Sequence, residues 1–419
     1  MTLTKRILLA MVLGIAVGLV LNLVYTPGGW LDRFIVHGAF DIVGTIFVNS
    51  LKLLVVPLVF VSLVCGTASL GAQSRMGPMA AKTIGLYVLT TAIAITLAIA
   101  VASVLGPGKS LGLTASGVAD ASFSVSLKDT IINIFPSNPV QAMADGVMLQ
   151  VIVFAVLFGI AISRTGEKGK PVASFFNNLN EVVMQMILML VQLAPYGVFC
   201  LLAKLFASMG FEVFEDLLFY FFTVIGVLLL QCFVVYPALL KAFAGLNPLV
   251  FFRKMYPVQV FAFSTASSNA TLPYTLSTVE KKLGVDNKVA SFTLPLGATI
   301  NMDGTSIMQG VATVFIAQAY GVDVGLTGYL MVVLTATLAS IGTAGVPGVG
   351  MVTLTMVLQQ AGLPIEEGIA LIIGVDRLLD MLRTSVNVTG DATVTTVVAK
   401  SEALLEPDIY NADMAEVRQ

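Results

Sequence analysis

Histidine occurs once in this 419-residue sequence, cysteine three times, and charged residues make up only 11% of it. Each scarcity excludes something. Cys65, Cys200 and Cys232 stand alone in apolar segments with no C-x-x-C spacing, so they read as small buried hydrophobes, not as metal ligands or disulfide partners. A lone His37 builds neither a metal site nor a triad, and no nucleophile–base arrangement accompanies it, which makes an enzyme the weakest reading. Gly108-Lys109-Ser110 matches the end of a P-loop, but Ser103 stands where that motif requires glycine. With a net charge of −2 and no basic patch, nucleic acid is not an expected partner. The sequons Asn269-Ala270-Thr271 and Asn387-Val388-Thr389 fall in apolar segments and are discounted.

What remains is hydrophobic. Apolar residues make up 57% of the chain, and soluble domains carry about 25% charged residues, so the composition predicts a polytopic membrane protein. Runs of spanning length lie at 5–25, 40–70, 78–105, 146–164, 178–207 and 217–244. The run Ile7–Val24 after Lys5 and Arg6 is longer than a signal-peptide core and lacks a clear small-residue cleavage site, so it reads as the first span. Residues 106–145 form a polar connection whose short apolar stretches suggest a broken helix.

Beyond residue 245 the pattern changes. Segments 248–283 and 326–362 are interrupted by small polar residues, STASSNATLP (Ser264–Pro273) and ASIGTAGVPGVG (Ala339–Gly350). Such tips cannot cross lipid as continuous helix without leaving backbone groups unpaired, so both segments read as re-entrant hairpins. Each precedes a span with polar residues, 287–319 and 364–402. The doubling suggests an inverted repeat with a site near the bilayer midplane. The distribution of Lys and Arg puts both termini in the cytoplasm by the positive-inside rule, with the two hairpins entering from opposite sides.

The chemistry concentrates in the last two spans. Asp376, Asp380, Arg383, Thr384, Asn387 and Asp391 fall within an arc of roughly 100° on a helix, inside an otherwise apolar stretch. Ionisable groups at membrane depth normally face a protein interior or a water-filled site. Arg377 points off that face. Arg383 offers a guanidinium fork for a carboxylate, Asp380 one turn earlier an acceptor for an ammonium, and Asn387 one turn later an amide. The pattern describes an acidic amino acid; an internal Asp380–Arg383 salt bridge is the alternative. In GATINMDGTSIMQ (Gly297–Gln309) the glycines and Asn301 loosen the helix around Asp303, an oxygen-rich setting for a hard monovalent cation. A kink held by hydrogen bonds to Asp303 is the competing account. Asp303, Asp376, Asp380 and Asp391 against Arg383 leave an excess of buried negative charge, so cations or protons must accompany an acidic substrate.

The stretches KLLVVPLVF (Lys52–Phe60), the serine-rich first tip, NMDGT (Asn301–Thr305), GTAGVPG (Gly342–Gly348) and DMLRTSVNVTGD (Asp380–Asp391) resemble, in order, those of the dicarboxylate/amino acid:cation symporter family. That family includes the excitatory amino acid transporters and prokaryotic glutamate/aspartate homologues. The resemblance implies an all-α polytopic fold of eight transmembrane helices plus two re-entrant hairpins with inverted repeats. It also implies a homotrimer in the cell membrane that works as an elevator, with the second hairpin as gate. The scaffold would comprise residues 1–75 and 111–210, and the mobile transport domain residues 76–110 and 211–419. Sodium ions would be co-transported, with no organic cofactor.

By position, the resemblance places substrate against Ser268, Thr305, Gly345, Val346, Asp380, Arg383, Thr384 and Asn387. One sodium set would be Gly297, Asn301, Asn387 and Asp391; a second, largely through backbone carbonyls, Thr299, Met302, Ser340, Ile341 and Thr343; a third Tyr87, Thr90, Thr91, Asn301 and Asp303. Tyr87, Thr90 and Thr91 share a helix face; read alone, they would be a core-facing polar patch more often than ligands. The acid at Asp391 favours sodium over protons as the coupling ion. Where family members carry a second arginine, this chain has Ala266 and Met381. Rival readings are a proton-coupled or C4-dicarboxylate carrier of the same fold, a neutral amino-acid carrier, and, in another class, an anion channel.

Overall fold

The computed structural model describes residues 3–72, 77–113, 132, 135–210, 212–340 and 345–412. Among these residues the fold is helical, and the one strand-like feature is an antiparallel bridge between Val285 and Leu405. The first helices are α1 (Leu3–Asn22), α2 (Asp41–Ala72), α3 (Gly77–Leu105), α4 (Pro139–Asp145), α5 (Met148–Arg164), α6 (Lys170–Val191) and α7 (Ala194–Met209). Next come α8 (Glu212–Leu230), α9 (Tyr236–Leu239), α10 (Pro248–Thr265), α11 (Ser268–Lys281), α12 (Asn287–Ile300) and α13 (Asp303–Ala319). The last are α14 (Gly325–Ser340), α15 (Val349–Gln360), α16 (Ile365–Ser401) and α17 (Pro407–Asn411).

Among the described residues four helical stretches are long and apolar enough to cross a bilayer: residues 5–22, 32–68, 78–105 and 214–244. The 178–207 run, expected as one span, is instead the end of α6 and most of α7, bent by 47°. Pro195 in the first turn of α7 explains the break. It supplies no N–H to the carbonyl of Val191 and its ring crowds that carbonyl, so α6 stops there. Of the connection at 106–145, the described part contains α4, while residues 114–131 lie outside the described residues.

The early helices pack mainly on one another. Gly14 and Gly18 let α1 lie directly on α7: a Cβ there would come within 2.7 Å of the Phe199 carbonyl and of Phe206 Cβ respectively. Along its length α2 meets α5, α6 and α7. The later helices gather around α16, which touches α10, α11, α12, α13 and α15. All but one residue of α13 is buried, so it is a core helix with no lipid-facing side.

Both expected hairpins are present as helix pairs. In the first, the chain turns at Ala266 in left-handed conformation (φ 49°), and the Ser267 hydroxyl caps α11 by accepting from Ala270 N. In the second, α14 and α15 flank a tip of which residues 341–344 lie outside the described residues. The tips meet: Ser267 Oγ and Asn269 N both donate to the Gly345 carbonyl, at 2.7 and 3.2 Å. Between the hairpins, the 287–319 span is broken as expected. Asn301 and Met302 leave helical backbone and separate α12 from α13.

Candidate functional site

The polar stripe of α16 faces inward. Arg383 is fully buried, and its guanidinium lies 2.9 Å from Asp376 Oδ1 through Nη1 and 2.9 Å from Asp380 Oδ1 through Nη2. The internal Asp380–Arg383 bridge weighed from sequence is therefore present. One expectation is corrected: Arg377 does not point away, because its Nη1 donates to Asp380 Oδ2 at 3.1 Å. The side chain is long enough to reach back over the edge of the stripe. Asp376, Arg383, Asp380 and Arg377 thus form a ladder of alternating sign. Burying such charges is tolerable only when they are mutually paired.

Beside this ladder is a small cavity, about 10 Å³, at the meeting point of both tips, the α12–α13 break and α16. Ser268, Thr305, Gly345, Val346, Asp380, Thr384 and Asn387, which the resemblance places against substrate, all line it. Arg383 stands just behind the lining: a Cβ on Gly350, which does line the cavity, would lie 3.2 Å from Nη2. The space holds at most a water molecule. Several lining groups are already engaged. Asp380 Oδ2 also accepts from Gly348 N at 3.2 Å, and Thr384 Oγ1 donates to the Asp380 carbonyl at 2.8 Å. Asn387 accepts from Gly304 N at 2.7 Å and donates to Met302 Sδ at 3.3 Å. Arg383 Nε has no hydrogen-bond partner, an unspent donor on the residue expected to hold a carboxylate.

Two further carboxylates are deeply buried. Asp303 Oδ1 accepts from Thr91 at 2.7 Å and Thr90 at 3.3 Å, while Oδ2 accepts from Tyr236 at 2.8 Å and Gln231 at 3.2 Å. Asp391 Oδ1 accepts from Asn301 Nδ2 at 2.9 Å, and Asn301 Oδ1 accepts from Thr90 at 3.2 Å. Every one of these donors is neutral. Asn301 therefore bridges the Asp303 and Asp391 neighbourhoods, joining the first and third expected sodium sets. Gly297 permits the approach of Asp391, since a Cβ there would sit 2.6 Å from both Asp391 Oδ1 and the Tyr87 hydroxyl. Tyr87 itself donates to the Thr293 carbonyl at 3.0 Å. Gln231 and Tyr236 were not singled out from sequence, although they are polar groups in an apolar run.

The second expected sodium set would act largely through backbone carbonyls, and its described side chains are engaged locally. Met302 is buried beside Asn387, but Thr299 and Ser340 donate to carbonyls of their own helices, Leu296 at 2.9 Å and Thr337 at 2.8 Å. Ile341 and Thr343 lie outside the described residues. Among the described residues no cluster of three His, Cys, Asp or Glu side chains could hold a metal, so any cation here would be met by hydroxyls, amides and single carboxylates.

The chain is 35% identical over 424 residues to the proton/glutamate-aspartate symporter of Escherichia coli, covering 96% of this chain and 93% of that protein. It is 34% identical over 386 residues to the proton/sodium-glutamate symport protein of Bacillus caldotenax, covering 90% and 91%. With excitatory amino acid transporter 3 of Mus musculus the identity is 34% over 444 residues, covering 93% and 84%. The family model described as the sodium:dicarboxylate symporter family matches residues 3–401. The ladder on α16, the paired tips and the broken span therefore sit in a transporter, not an enzyme, and the chain belongs to the sodium:dicarboxylate symporter family.

Proposed function

We propose that this chain is a secondary active symporter that moves aspartate or glutamate across the cell membrane together with sodium ions. The observation that carries the reading is the distribution of buried charge. The ladder on α16 is balanced within itself, whereas Asp303 and Asp391 are hydrogen-bonded to neutral groups alone. Uncompensated buried carboxylates cost several kcal/mol each, and small cations arriving with the substrate are the natural counterweight. Arg383 would take the substrate's side-chain carboxylate, Asp380 its ammonium, and Asn387 with the tip residues its α-carboxylate. The names of the relatives point to the same substrates, with protons, sodium or both as the coupling ion.

The working movement we infer is an elevator in a homotrimer. Helices α1, α2 and α5–α7 would be the scaffold, and α3 with α8–α17 the mobile body, together making eight spans and two hairpins with both termini cytoplasmic. The dense mutual packing of each group supports this division. Gating by the second hairpin is supported by the small size of the cavity and by the hydrogen bond from Ser267 to the Gly345 carbonyl that holds the two tips together beside it.

The test is uptake of labelled aspartate and glutamate into proteoliposomes under separately imposed sodium and proton gradients. Uptake driven by sodium alone is the expected result. Uptake driven only by the proton gradient would overturn the sodium assignment, and stronger competition by serine or succinate than by aspartate would overturn the substrate.

A further inference from the structure

Helix α8 runs on through a π-helical turn, Gln231–Val235, into α9. At its end the Tyr236 N–H donates to the carbonyl of Gln231, five residues back. Residues that far apart stand about 140° apart around an α-helix, whereas an i→i+5 bond stacks one above the other. Pro237 gives the turn a local cause, because it has no N–H for the Phe233 carbonyl and its ring crowds that oxygen. Gln231 and Tyr236 thus share a face. Both are fully buried, and both reach the same atom, Asp303 Oδ2, at 3.2 and 2.8 Å.

The two oxygens of Asp303 therefore have different surroundings. Oδ1 faces the hydroxyls of Thr90 and Thr91 on α3, at 3.3 and 2.7 Å, and Asn301 Oδ1 lies 3.2 Å from that of Thr90. A hydroxyl rotates and can present a lone pair to a cation, so that side can become a set of oxygen ligands. Oδ2 meets an amide N–H, which has no lone pair to offer. A cation beside Asp303 is thereby confined to the Oδ1 side, and Oδ2 is the end by which the carboxylate is held. Gln231 carries a mark of that role. Its Oε1 is buried with no hydrogen-bond partner among the described residues, an arrangement that costs stability. The amide is turned to suit Asp303 and not its own carbonyl.

We propose that Gln231 and Tyr236 are positioning residues for the coupling cation, the π-helical turn aiming both at Asp303 Oδ2 so that Oδ1 stays presented to sodium. The proposal rests on the sodium-coupled reading above, and adds to it a turn that sets the strength of cation binding without touching the cation. Tyr236 also reaches α16, since its hydroxyl lies 3.3 Å from the Val386 carbonyl, next in the chain to Asn387. Gly390 allows that approach, because a Cβ there would stand 2.6 Å from the hydroxyl.

The experiment compares the purified wild-type protein with Gln231→Met and Tyr236→Phe. Thr223→Val is the control, a change to a buried hydroxyl that donates to the Phe219 carbonyl of its own helix. Sodium is titrated against aspartate binding by calorimetry, and the thermal midpoint is recorded with and without sodium. Gln231→Met and Tyr236→Phe should each weaken apparent sodium affinity about tenfold or more, the scale of one hydrogen bond to a charged group. Aspartate affinity at saturating sodium should stay as in the wild type, and the rise in midpoint that sodium confers should shrink. Thr223→Val should leave both readings unmoved. Unchanged or tighter sodium binding in the two variants overturns the proposal, tighter binding meaning that the donors only steady the carboxylate before sodium arrives. A midpoint lowered equally with and without sodium, or variants too unstable to bind either ligand, also overturn it, because the role is then structural. Wild-type protein whose aspartate binding ignores sodium instead sinks the underlying functional reading, which is a different result from variants that match a sodium-dependent wild type.

Discussion

Replacing Gly297 with alanine would place a methyl carbon 2.6 Å from Asp391 Oδ1 and 2.6 Å from the Tyr87 hydroxyl. Neither oxygen is free to swing away, because Asp391 Oδ1 is held by Asn301 at 2.9 Å and Tyr87 by the Thr293 carbonyl at 3.0 Å. The carboxylate or α12 must give way, and overpacking of this kind costs typically about 1–3 kcal/mol. If Asp391 helps hold a sodium ion, that distortion falls on the bound state and weakens sodium about 5- to 150-fold, at tenfold per 1.4 kcal/mol. The assay is a sodium titration of aspartate binding to the purified protein by isothermal calorimetry. Gly85→Ala is the control, since a Cβ at Gly85 meets nothing within 4 Å. Gly297→Ala with wild-type sodium dependence would refute the placement of a cation beside Asp391.

Other perturbations probe separate parts of the account. Thr91→Val keeps the shape but removes the hydroxyl that donates to Asp303 at 2.7 Å; sodium affinity should fall about tenfold, read in the same titration. Ser267→Ala deletes the 2.7 Å link between the two tips, so aspartate dissociation measured by stopped-flow should quicken by about 2- to 12-fold. Lys254→Met removes the ammonium that donates to the carbonyls of Lys282, Ile409 and Tyr410 at 2.9, 2.7 and 2.7 Å. Leaving those carbonyls without it should cost about 3 kcal/mol or more and lower the thermal midpoint of the purified protein, with aspartate affinity unchanged.

The hairpins were legible because their tips carry runs of small polar residues that no lipid-crossing helix tolerates, and the broken span because Asn301 and its flanking glycines weaken helix in an apolar setting. The cavity lining was legible only through the motif resemblance; periodicity alone reached no further than the face of α16. Arg377 escaped for a geometric reason. It sits about 20° beyond the edge of the polar arc, at 100° per residue, but a side chain of that length returns its charge to the face its backbone leaves. Tyr236 and Gln231 escaped because an isolated polar group in an apolar run does not reveal its partner, and theirs, Asp303, lies far along the chain. The π-helical turn at Gln231–Val235 further alters which residues share a face. The bend between α6 and α7 was carried by Pro195, which an apolar-run count passes over.

The central claim is that the Arg383 guanidinium grips the carboxylate of an acidic substrate. Its most direct measurement is aspartate binding at saturating sodium by Arg383→Ala and Arg383→Lys, alongside a thermal-stability check. Loss of the two-pronged fork in both variants should weaken aspartate by about a hundredfold or more, given roughly 1.5–3 kcal/mol for each charge-assisted hydrogen bond. Folded variants that bind aspartate as the wild type does would contradict the account.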